Sequence, residues 1–117
     1  MEHIIWNKEM ECADKETIRE IQMARLKKTV ETCYERVPLY KRKFDEIGLK
    51  PEHIKTLADV KHLPFTTAED LKNSYPFGMF AVDKREVVRI HGSSGTTGKP
   101  KIVGYTKQDL DNWSEIM

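Results

Sequence analysis

Early in the chain, Ile18, Ile21, Leu26, Val30, Cys33 and Val37 recur at intervals of three to five positions with charged residues between them. This spacing lines one face of an α-helix. It predicts a long helix beginning after Asp14, with Thr17 and Glu20 placed to form a capping box at its start. Pro38 has no amide hydrogen and disfavours helical backbone at Val37, so the helix must end or kink there. A second, shorter helix is expected through Tyr40, Phe44 and Ile47, stopped by Gly48 in a left-handed cap. Residues 50–63 read as a connector holding at most a helical turn, closed by Pro64. Thr67 reads as the N-cap of a helix over residues 68–72, with Glu69 and Asp70 near its positive end.

The texture changes after Tyr75. Pro76, Phe77, Gly78, Met79 and Phe80 make an apolar loop, and residues 86–90 carry the β-branched side chains of a strand. Ile102, Val103 and Tyr105 suggest a second strand, and Thr106 is placed to cap a last helix carrying Leu110, Trp113 and Ile116. The expected fold class is therefore mixed α/β: residues 1–75 mainly helical, residues 76–117 a strand, loop, strand and helix. The last helix is still apolar on one side at Met117, so the chain is expected to be a piece of a longer protein. An uncovered apolar face would also favour homo-oligomers.

Composition removes several function classes. Charged residues make up 33% of the 117 residues, yet acids and bases nearly cancel at a net charge of +1. Neither nucleic acid nor an anionic membrane is therefore expected as a partner. No apolar run is long enough to span a bilayer, and residues 1–6 do not resemble a secretory signal. Cys12 and Cys33 lie far apart with no partner at metal-ligand spacing, as expected of reduced thiols in a cytoplasmic protein, Cys33 as a small core residue. His3, His53, His62 and His91 are equally dispersed, so no metal site is expected from this chain's residues alone. A chain of this size is expected to bury roughly two-thirds of its unfolded surface.

The chemistry concentrates between the two strands, in His91-Gly92-Ser93-Ser94-Gly95-Thr96-Thr97-Gly98-Lys99-Pro100. Glycines allow backbone amides to turn inward around an anion. Ser93, Ser94, Thr96 and Thr97 add hydroxyl donors, and Lys99 adds a mobile cation. This set suits a polyphosphate, although Ser, Gly and Thr also cluster in ordinary hairpin turns. A Walker loop is disfavoured, because Ser93 stands where its first glycine belongs and Pro100 where Ser or Thr should follow the lysine. A dinucleotide fingerprint is disfavoured because a strand, not a helix, follows Gly98.

The run SSGTTGKP, Ser93 to Pro100, resembles the phosphate-binding loop of the adenylate-forming superfamily. Its surroundings, YERVPLYKRKFDEIGL, LPFTTAEDLKNSYPFGMF and VVRIHGSSGTTGKPKIVGYT, are similar to the phenylacetate-CoA ligase family from about Arg25 onward. Lys101 departs from the small or β-branched residue expected there. The resemblance implies that residues 1–117 form part of a large amino-terminal AMP-binding domain. It also implies an ATP-dependent ligase of aromatic acid catabolism, using ATP, Mg²⁺ and CoA to join a carboxylic acid, phenylacetate or another aryl acid, to CoA through an acyl-adenylate. The loop residues Ser93, Ser94, Gly95, Thr96, Thr97, Gly98 and Lys99 would bind the nucleotide's phosphates. Two alternatives stand beside this: a related adenylyltransferase acting on another acceptor, such as a deazaflavin coenzyme, and a non-catalytic binding or interaction fragment. His91 reads as a strand-end histidine with a local hydrogen bond, Tyr75, Phe77 and Phe80 as apolar packing rather than an aryl pocket, and Lys41, Arg42 and Lys43 as a solvated helix face.

Overall fold

In the computed structural model, residues 4–94 and 98–117 are described. A short helix α1, Lys8–Glu11, opens with the Asn7 side chain accepting from the Met10 amide at 3.1 Å. The long helix α2 spans Lys15–Arg36. Its cap is Asp14, whose carboxylate accepts the Thr17 amide at 2.8 Å. The expected Thr17–Glu20 box does not form: Asp14 is already an N-cap acceptor three residues before Thr17, which makes Thr17 the donor.

Val37 is extended, and Pro38, rather than only closing α2, is the first residue of α3, Pro38–Glu46. At that position the missing amide hydrogen is harmless, because first-turn amides have no helical partner. Gly48 ends α3 at φ +66°. The Leu49 amide donates to the Phe44 carbonyl at 2.9 Å and the Gly48 amide to the Asp45 carbonyl at 3.1 Å, the bond pair of a Schellman cap.

These caps fold α3 back on α2 around a small core. Val30, Phe44 and Ile54 are all at most 3% exposed, and Met23, Leu26, Tyr34, Leu49 and Leu63 pack around them. Tyr34 stacks on Phe44 with ring centroids 5.9 Å apart. Burying side chains of this size is worth about 1.5–3 kcal/mol each. The connector holds more order than expected: two 3₁₀ helices, Pro51–His53 and Leu57–His62, flank Ile54. Ile54 is a core residue, and the Thr56 amide and hydroxyl donate to Asp59 at 2.7 and 3.0 Å. Cys33 is half-buried rather than fully in the core, and burial pushes its thiol pKa up.

The basic triplet does not form a uniformly solvated face. Lys41 and Lys50 both hold Asp45, which also accepts from the Tyr34 hydroxyl at 2.8 Å. Hydrogen bonds from Lys50, Tyr34 and Lys41 hold the Asp45 carboxyl well below the usual range. Lys43 is largely sequestered and donates to Asp70 at 2.6 Å and to the Phe65 carbonyl at 2.8 Å. Asp70 also completes the box with Thr67 that caps α4, Ala68–Asn73. One carboxylate thus ties the start of α4 to α3.

Strands β1, Val87–Gly92, and β2, Ile102–Thr106, form an antiparallel pair in which Ile90 faces Gly104 and Gly92 faces Ile102. Thr106 and Asp109 form the capping box of α5, Lys107–Ile116. None of the fully buried hydrophobic side chains lies in β1, β2 or α5. The chain exposes 9554 Å², where a compact monomer of 13.7 kDa exposes about 6,600 Å². It therefore buries about half of its unfolded surface rather than two-thirds. The radius of gyration is 17.1 Å, against about 13 Å for a compact chain of this length.

The Asp70 tie has a pH signature. Hydrogen bonds from Lys43 and Thr67 lower the Asp70 pKa to about 2. A carboxylate with a depressed folded pKa contributes stability above its unfolded value near 4, and that contribution is lost as pH falls through about 2. Asp70→Asn should therefore lower the urea midpoint at pH 7, and the gap to wild type should close between about pH 4 and 2. A gap independent of pH would mean that the carboxylate's charge is not its source.

Candidate functional site

The strand pair delivers the loop as a closed neck. Beyond the last strand pairing, the Ser93 amide donates to the Lys101 carbonyl at 3.0 Å, and the Lys101 amide donates to the Ser93 hydroxyl oxygen at 3.3 Å. Lys101 takes part through its backbone while its side chain stays exposed, so a long charged residue is accommodated at the strand's entry. Ser93 keeps its hydroxyl hydrogen, but its oxygen is committed to the neck. Ser94 is exposed beside it.

Gly95, Thr96 and Thr97 lie outside the described residues. On the returning side, Gly98 has φ +117°, and nothing would lie within 4 Å of a Cβ added there. Backbone conformation rather than space requires glycine at this turn. Lys99 is exposed, with its ammonium 5.4 Å from the Tyr75 ring centroid. It is therefore seated on an aromatic face instead of standing wholly in solvent. Of the seven expected ligand residues, the structure places Ser93, Ser94, Gly98 and Lys99 around the mouth of one loop.

Two packing contacts hold the strand pair. Phe80 lies against Gly104: a Cβ there would meet the ring's Cζ at 2.6 Å and Val87 Cγ1 at 3.1 Å. Phe77 and Phe80 have ring centroids 5.2 Å apart, so these two aromatics pack with each other and Phe80 packs on the strands as expected, whereas Tyr75, expected to pack with them, is exposed. On α5, Trp113 stacks on Tyr105 at 5.7 Å. His91 meets both rings edge-on, at 5.0 and 6.3 Å. The local hydrogen bond expected for His91 is not found among the described residues; the Tyr105 ring beside it on β2 supplies aromatic contact instead. Sequence reasoning missed this trio, although Tyr105 on a strand and Trp113 on the following helix was its signal. Gly104, Tyr105, Asp109, Asn112, Trp113 and Ile116 line a shallow depression of about 450 Å³ beside it.

Among the described residues, no three His, Cys, Asp or Glu side chains are grouped to hold a metal ion, and no helix is long and apolar enough to cross a membrane. No protein-family model matches the chain. Individual proteins do. The phenylacetate-coenzyme A ligase of Escherichia coli K12 is 49% identical over 108 residues, 92% of this chain and 25% of the ligase. That of Thermus thermophilus is 47% identical over 114 residues, 97% of this chain and 26% of the ligase. The second match leaves only three of the 117 residues unmatched, fewer than the seven expected ligand residues.

By sequence, 92–97% of this chain matches a segment of four curated phenylacetate-CoA ligases at 45–49% identity. It spans about a quarter of the length of the curated relatives it matches. The fold is likewise similar to that of a CoA ligase of known structure. A crystal structure of 2-hydroxyisobutyryl-CoA ligase with 2-HIB-AMP and CoA, in the thioesterification state, superposes with a TM-score of 0.73 at 30% identity, covering 82% of this chain and 21% of that one. The same ligase in the postadenylation state with 2-HIB-AMP gives 0.70 at 29% identity, covering 81% and 21%. The mixed α/β fold is therefore that of a segment of adenylate-forming CoA ligases.

The Phe80–Gly104 contact gives a direct test of how the strand pair is held. Gly104→Ala would drive a methyl group into the ring and should destabilise the chain by about 1–3 kcal/mol, the range for overpacking. Thermal unfolding of Gly104→Ala alone and combined with Phe80→Leu measures it: the smaller side chain should recover part of the loss. Equal losses in the two backgrounds would show that Phe80 is not the obstacle.

Proposed function

We propose that the complete protein is an ATP-dependent acid–CoA ligase acting on phenylacetate or a related aryl acid, and that this chain supplies its polyphosphate grip. The carrying observation is a Gly-, Ser- and Thr-rich loop closed at Ser93 and Lys101 and presenting Lys99, within a sequence nearly half identical to phenylacetate-CoA ligases. The name of each curated relative gives CoA as the acceptor, which favours CoA over a deazaflavin.

The reaction has two displacements. A carboxylate oxygen of the acid attacks the α-phosphorus of ATP, the bond to the bridging oxygen breaks, and pyrophosphate leaves with that electron pair. The CoA thiolate then attacks the acyl carbon, and AMP leaves with the oxygen that bound it, giving the thioester. Charge builds on the departing pyrophosphate in the first step. Amides of the loop, the hydroxyls of Ser94, Thr96 and Thr97, and the Lys99 ammonium supply donors where that charge appears. Gly98 gives the backbone the freedom to turn its amide inward. Mg²⁺ would enter with ATP, and no group of carboxylates among the described residues is assigned to it.

The grip is separable from turnover. Lys99→Ala should weaken pyrophosphate binding to the 117-residue chain by about tenfold or more, the loss of one charge-assisted hydrogen bond. Calorimetry with pyrophosphate measures this, and equal affinities would remove Lys99 from the site. The same chain given ATP, Mg²⁺, CoA and phenylacetate should form no thioester, since positioning in a complete site supplies about 7–11 kcal/mol of the barrier. Robust thioester formation by the short chain would overturn the division of labour proposed here.

A further inference from the structure

The ammonium of Lys99 is paired with no carboxylate among the described residues. Its partner is the face of Tyr75, 24 positions earlier in the chain, at 5.4 Å from the centroid. A cation within about 6 Å of a ring centroid is attracted by the ring's negative face. Tyr75 is well suited to hold something still. It lies in a turn directly after α4, where the Tyr75 amide donates to the Lys72 carbonyl and the Gly78 amide to the Ser74 carbonyl at 2.8 Å. The turn is tight: a Cβ on Gly78 would sit 2.7 Å from the Ser74 carbonyl oxygen. Tyr75 is 39% exposed, and the Lys99 ammonium lies over its ring.

Lysine has the opposite character. Its four-carbon stem is among the most rotamer-rich in proteins, and fixing it against an anion removes that freedom. A rigid aromatic seat removes part of it beforehand. The ring meets one side of the ammonium, which leaves N–H donors on the other sides for an anion. We propose that Tyr75 is a positioning residue for Lys99: its ring holds the ammonium at the mouth of the loop, so that a polyphosphate meets a cation already in place. Tyr75 itself touches no phosphate. Its hydroxyl has no part in this role, and the ring face is what matters. The inference rests on the reading of the loop as a polyphosphate site and adds a residue from the helical half of the chain.

The test is pyrophosphate titration by calorimetry on the 117-residue chain and three single variants, with one double variant. Tyr75→Leu should weaken binding two- to fivefold, the scale of an exposed cation–π contact, while Tyr75→Phe should bind like wild type. In a Lys99→Ala background, Tyr75→Leu should have no further effect, because a positioning residue has nothing left to position. Proton NMR gives a second readout independent of affinity: the Lys99 ε-methylene should be shifted upfield by the ring in wild type and Tyr75→Phe, and not in Tyr75→Leu. Unchanged or tighter binding by Tyr75→Leu, or the same loss with and without Lys99, would overturn the proposal while leaving the loop's own role intact. Failure of the wild-type chain to bind pyrophosphate would overturn the loop reading and this proposal together.

Discussion

The junction of Val37 and Pro38 is the constraint on which the helical half depends. A proline cannot continue the hydrogen-bond ladder of α2, and it forces the residue before it out of helical backbone. Val37 is accordingly extended, and the chain restarts at once as α3 with Pro38 in the one helical turn that needs no amide donor. That reversal carries Phe44 back onto Val30. The Schellman cap at Gly48 then brings Leu49 and the connector round so that Ile54 can close the same cluster. Without the break at Val37, continued α2 would carry Phe44 away from Val30.

The core formed in this way is small, and it lies wholly in the helical half. The strand pair and α5 have no fully buried hydrophobic side chain and are held by Phe80 under Gly104 and by the Tyr105–Trp113 stack. A two-stranded hairpin is marginal without a packed face. Exposed Val88, Ile90 and Val103 on those strands show how much apolar surface remains open. This agrees with a chain spanning about a quarter of the relatives it matches.

Ion pairing plays different parts in the two halves. In the helical half, Asp45 gathers Tyr34, Lys41 and Lys50, and Asp70 joins Lys43 to the cap of α4. Those cations are neutralised by carboxylates and serve the fold. Lys99 and Ser94 differ, because both are exposed and neither is paired with a carboxylate among the described residues. An anion site needs positive charge that the protein has not already satisfied. The carboxylate-paired lysines on α3 and the ring-seated Lys99 show that difference within a single chain.

Much of this was legible in the sequence because it is local. Helix spacing, the stop at Pro38, the left-handed Gly48, the Thr67 and Thr106 caps and the two strands all follow from residues within a few positions of one another. The loop's composition and its family resemblance were readable in the same way. What the pattern of residues misplaced was the choice between nearby alternatives, such as Asp14 over Thr17 as cap, where two cap-forming side chains stand three positions apart. Only the tertiary structure decided the long-range partners. Ile54 became a core residue inside an apparent connector, Lys43 turned from a solvated face to Asp70, His91 met aromatic edges, and Lys99 came to rest on Tyr75. Local propensity acts through bonds within a turn or two of chain. Contacts between residues 24 or 27 positions apart depend on how whole elements pack, which no short window of sequence contains.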